Sequence, residues 1–78
     1  METTNNQDLA ARIREVREEM YGEHGAQFMA DALGVPLRTW MNYEAGVVMP
    51  AKILLQLIGT MNVNPSWLLA GRGEKFDR

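Results

Sequence analysis

Arg38 and Asn42 stand four residues apart in the stretch LRTWMNYEAG, and each carries a donor set that matches a nucleobase edge. A guanidinium binds guanine O6 and N7 bidentately and an amide does the same for adenine N6 and N7, each good pair being worth about 1 to 3 kcal/mol of discrimination. Asn42 also suits a phosphate. Leu37 and Met41 share their helical face but cannot hydrogen-bond, which leaves two readings open: contact with thymine methyl groups, or packing against a neighbouring loop or partner protein. Trp40 and Tyr43, three apart, face the other way and read as core, the anchoring face such a helix needs. Catalytic chemistry finds no footing. There is no nucleophile with a base and an orienting group, no metal cluster and no cofactor loop, and Gly71-Arg72-Gly73 is too little for a phosphate loop. His24, the only histidine, has no cysteine or paired carboxylate beside it and reads as structural or exposed.

These side chains need a corner to present them, and residues 27–46 supply it. Phe28, Met29, Ala32 and Leu33 recur at helical spacing, and Gly34 follows where a left-handed residue ends a helix. Val35 packs into the corner, and Pro36 has the fixed φ suited to the first position of a second helix, expected over about 36–45 and closed by Gly46. Two helices joined by so short a glycine-containing turn make a helix-turn-helix, whose second helix can be offered to the DNA major groove. Around it, helix 1 begins near Asn5 or Asn6 and buries Leu9, Ile13, Val16 and Met20. Its charges include an Arg14–Glu18 pair and a repulsive Glu15–Glu19 pair at i,i+4. A loop containing Gly22 and Gly25 follows. Helix 4 starts near Pro50 with Ile53, Leu54, Leu57, Ile58 and Met61 as its apolar stripe, and ends at Asn62. Helix 5 starts with Asn64 as cap and Pro65 at its first position. It is too short to bury Trp67, Leu68 and Leu69 together, so one of them, with Phe76, is expected to be exposed for a dimer contact.

Ala30-Asp31-Ala32-Leu33-Gly34-Val35, Arg38-Thr39-Trp40 and Tyr43-Glu44-Ala45-Gly46 resemble the lambda-repressor-like (phage repressor/Cro, or XRE) helix-turn-helix family. The resemblance extends to Arg12-Ile13-Arg14-Glu15-Val16-Arg17 and to Asn64-Pro65-Ser66-Trp67-Leu68-Leu69-Ala70-Gly71, covering roughly residues 8–73. It implies an all-α, compact five-helix lambda-repressor-like domain. It also implies that Leu37, Arg38, Met41 and Asn42 read bases, with Thr39 near the DNA backbone, and that Arg17 pairs with Glu44 at the end of the recognition helix. Where the family commonly has a polar cap and then a phosphate-touching glutamine, this chain has Gly25 and Ala26. The backbone N–H groups of Ala26 and Gln27 are the substitutes, because a helix N-terminus attracts phosphate unaided. Lys52 reads equally as a phosphate contact or a solvated charge.

Composition sets the outer bounds. The 78 residues make one domain with a thin core. Residues 1–7 read as a flexible arm, 8–73 as the helix-turn-helix domain and 74–78 as a mobile charged tail. Without cysteine the chain has neither disulfides nor thiolate metal sites, as befits a cytoplasmic protein. No apolar run approaches the roughly 20 residues of a membrane span, and no signal-peptide pattern opens the chain. The net charge of −2 argues against indiscriminate nucleic-acid binding. Six of the ten acids (Glu2, Asp8, Glu15, Glu18, Glu19 and Glu23) precede Ala26, however, and between Ala26 and Met61 Arg38 and Lys52 balance Asp31 and Glu44. The presumed DNA face is therefore neutral. The function expected is a sequence-specific transcriptional regulator of repressor type, prokaryotic or phage, binding double-stranded DNA as a homodimer without cofactor or metal. The alternative is a protein-interaction module of the same shape, or an antitoxin that binds a partner protein.

Overall fold

The computed structural model describes residues 6–77, which form five α-helices: α1 (Asn6–Tyr21), α2 (Ala26–Leu33), α3 (Leu37–Glu44), α4 (Ala51–Met61) and α5 (Pro65–Ala70). No strand is present among the described residues, only an isolated antiparallel bridge between Val63 and Phe76. Residues 1–5 of the expected arm, Asn5 as a cap of α1 among them, lie outside the described residues, and Asn6 is the first residue of α1. Gln7, assigned to the arm from sequence, belongs to α1.

The corner is fixed by its closures. Gly34 sits at φ 70°, the Gly34 N–H donates to Asp31 C=O and the Val35 N–H to Ala30 C=O, the crossed pattern of a Schellman motif. A second one closes α3, where the Gly46 N–H reaches Tyr43 C=O and the Val47 N–H reaches Asn42 C=O, with Gly46 at φ 106°. Pro36 and Pro50 each precede their helix in extended conformation rather than occupying its first turn. In this position each ring fixes its own φ and restricts the residue before it, Val35 or Met49. Asn64 caps α5 through its side chain, which accepts from the Ser66 N–H at 3.0 Å, and Asn62 ends α4 in the left-handed region. Gln56 adds a tie that propensity does not foretell: its amide donates to Leu33 C=O and so holds the end of α2 from α4.

The core gathers Ile13 and Val16 of α1, Met29, Ala30 and Leu33 of α2, Trp40 and Tyr43 of α3, Met49, Leu57, Met61, Val63 and Leu68. Trp40 is fully enclosed and meets the Tyr43 ring edge-on at 6.4 Å between centroids. Helical spacing misplaces three residues, Met20, Phe28 and Ala32. Met20, in the last turn of α1, is 43% exposed. Phe28 is 63% exposed and rests on Tyr21, with ring centroids 6.0 Å apart; Ala30, not Ala32, fills the core position of α2.

Residues 74–77, expected as part of a mobile tail, are docked, and Arg78 lies outside the described residues. Asn64 N–H donates to Lys75 C=O and Asp77 N–H to Asn62 C=O, while the Asn64 amide donates to Glu74 C=O. Phe76, expected to be exposed, packs half-buried against the core. Lys75 Nζ lies 3.2 Å from both Glu15 and Glu19 and 5.5 Å from the centroid of the Trp67 ring. The repulsion expected between those two glutamates is thereby offset by a cation from the far end of the chain.

Candidate nucleic-acid interface

α3 divides into two faces with opposite fates. Trp40 and Tyr43 are buried, whereas Leu37, Arg38, Met41 and Asn42 are all exposed along the other side. Thr39 lies between, half-buried. No salt bridge engages Arg38 or Lys52 among the described residues. Both cations therefore stand in solvent with their charge uncommitted.

Glu44, the last residue of α3, fixes the helix in place. Arg17 Nε donates to Glu44 Oε2 at 2.9 Å and Arg17 Nη2 to Oε1 at 2.7 Å, a bidentate fork between side chains that are 9% and 10% exposed. The indole Nε1 of Trp40 donates to the same Oε2. Arg17 then directs Nη1 to the carbonyls of Gly22 and Glu23, at 3.0 and 2.7 Å. One guanidinium thus ties α1, the 22–25 loop and α3 together. Burial alone would raise the Glu44 carboxyl, but the hydrogen bonds from Arg17 and Trp40, with the charges of Arg17 and Arg14, hold it below its ordinary 4.5. The hydrogen bond to Glu44 likewise raises Arg17 against its own burial.

Sequence spacing misses two partners here. Arg14, paired by spacing with Glu18, instead reaches toward Glu44, its Nε 3.5 Å from Oε1. The Trp40 indole, read only as apolar bulk, is also a donor; the spacing of four between Trp40 and Glu44 on one helix is the signal that could have revealed it.

At the start of α2 the absence of a polar cap has a steric cause. A Cβ on Gly25 would lie 2.5 Å from the carbonyl oxygen of Tyr21 and 2.7 Å from its carbon, so the closing turn of α1 leaves no room for serine or threonine. No side chain caps α2. Ala26 is half-buried, and the exposed Gln27 bonds through its amide to Asp31 at 2.8 Å.

No protein-family model, no curated protein and no solved structure matches this chain. Its chemistry is therefore carried by geometry: a short helix held rigidly on one side and presenting an arginine and an asparagine one turn apart on the other. Among the described residues there is no cluster of metal-ligating side chains and no helix long and apolar enough to cross a membrane.

Proposed function

We propose that the chain is a sequence-specific DNA-binding transcriptional regulator of repressor type, prokaryotic or phage, that lays α3 in the major groove of an operator. The observation that carries this reading is the outer face of α3, where Leu37, Arg38, Met41 and Asn42 are exposed together on a helix clamped from behind by Arg17 and Glu44. α2, the short turn at Gly34, Val35 and Pro36, and α3 act as a helix-turn-helix in this reading. Arg38 reads guanine and Asn42 adenine, Leu37 and Met41 meet thymine methyls, and Thr39, Lys52 and the backbone N–H groups of Ala26 and Gln27 hold phosphates. A two-fold homodimer reads half-sites about one helical turn apart. With so few cations per subunit, affinity falls only shallowly with salt.

The test is a selection from a random pool of labelled duplexes at about 50 and about 200 mM salt, with the bound fraction sequenced. A two-fold-symmetric motif is expected. Absence of binding at the lower salt, with helicity intact by circular dichroism, overturns the reading.

A second reading, a protein-interaction module or antitoxin of the same shape, is favoured by the exposed apolar side chains near this face: Met41 is 55% and Val48 66% exposed. In that case the selection fails and the partner is a protein with an apolar surface.

A further inference from the structure

Arg14 is held only loosely by its acid, Glu44. Both oxygens of Glu44 are already taken, Oε1 by Arg17 Nη2 and Oε2 by Arg17 Nε and Trp40 Nε1. At 3.5 Å from Oε1, Arg14 is outside good hydrogen-bond range, and its side chain is 55% exposed. Arg17 and Trp40 supply the hydrogen bonds to Glu44, and Arg14 adds only its charge at longer range, so the Arg14 guanidinium stays open to a second anion. It borders a notch of about 390 Å3 between α1, the 22–25 loop and the last turn of α3, whose lining includes Arg17, Glu23, His24, Met41 and the Arg17-bound Glu44. Met41 belongs to the outer face of α3, so the notch adjoins that face. His24 projects from the loop, 95% exposed, and Glu23 is the one acid on the rim that Arg17 does not already hold, 84% exposed and 3.9 Å from the imidazole. A guanidinium fork with unmet donors, an imidazole N–H and a neighbouring reading face define a seat for an oxyanion.

We propose that this notch seats one backbone phosphate of duplex DNA, with Arg14 and His24 as side-chain donors and Glu23 as the charge that limits its strength. The proposal rests on the reading of α3 as the DNA-facing helix and extends it: α1 and the 22–25 loop supply the phosphate grip that a glutamine at the start of α2 would otherwise give. A phosphate held there positions the protein on the duplex and carries no sequence preference.

The test uses a duplex recovered by the selection above. Arg14→Gln and His24→Ala are each expected to weaken binding about three- to tenfold, equally for specific and unrelated duplexes, and Arg14→Gln to lower the salt slope by about one. Glu23→Gln is expected to tighten binding. In a scan of single methylphosphonate replacements, one position should weaken the wild-type complex and cost the Arg14→Gln complex nothing more, the coupling that marks a direct contact. His24→Ala, on an exposed loop side chain, keeps the test independent of folding. If the duplex binds and Arg38→Ala disrupts its recognition while Arg14→Gln, His24→Ala and Glu23→Gln leave affinity and salt slope unchanged, the notch proposal falls and the DNA reading stands. If no duplex binds, both fall.

Discussion

Two charge clusters lean on α1, and they are mirror images in sign. In one, Glu44 is flanked by Arg17 and Arg14; in the other, Lys75 is flanked by Glu15 and Glu19. They differ in burial. The Arg17 and Glu44 side chains are nearly closed off from water, whereas Glu15 and Glu19 are about half exposed (52% and 54%). Removing one member of a buried, hydrogen-bonded pair strands the other charge in low dielectric, whereas an exposed pair is screened and its partners return to water. The first cluster therefore fixes where α3 stands, and the second only tacks the end of the chain to α1.

The largest effect expected follows from breaking the buried cluster. Arg17→Met should cost about 3 kcal/mol of stability, since it leaves Glu44 charged without its fork and the Gly22 and Glu23 carbonyls without their donor. Urea unfolding measures it, and a cost below about 1 kcal/mol would place this pair in the same class as the exposed one.

Acid should sharpen the contrast. Glu44 is held below its ordinary 4.5 in the folded chain, so the unfolded chain binds the proton more readily. Its contribution is fully present above pH 4.5 and is lost as pH falls through the lowered folded value. The wild type should thus lose stability more steeply below pH 4.5 than Glu44→Gln, and parallel urea series across that range would show it. Lys75 has the reverse sign. Burial lowers it, but the hydrogen bonds it donates to Glu19 and Glu15 prevail and hold it above 10.5, so its smaller contribution fades only in strong alkali.

The smallest of these effects is Lys75→Met, expected to cost less than about 1 kcal/mol and to shrink further in added salt. Hydrogen exchange at the Asp77 amide, which bonds to Asn62 C=O, should accelerate even so. A loss as large as that of Arg17→Met would mean that the docked end is part of the core.

What can be read from sequence follows the range of the forces involved. The α2–α3 corner, the ends at Gly34, Gly46 and Asn62 and the cap at Asn64 depend on residues within one turn of each other, and the residue types state them outright. Phe28 and Met20 escape such a reading because periodicity says that a residue is on an apolar face, not whether anything packs opposite it. The destination of Lys75 is hidden from composition, since it depends on α5 turning the chain back along α1. On the candidate interface, the split of α3 into an inner Trp40–Tyr43 face and an outer Arg38–Asn42 face is legible from spacing alone. The role of Arg14 is not, because its acid, Glu44, arrives from α3 and is distant in sequence.

Arg38→Ala separates the proposed DNA-reading role of the outer face of α3 from the fold-holding role of its inner face. Anisotropy on the selected duplex, run beside thermal unfolding, should show recognition lost with stability changed by less than about 0.5 kcal/mol. Undiminished binding by a folded Arg38→Ala protein would mean that the outer face of α3 does not read DNA.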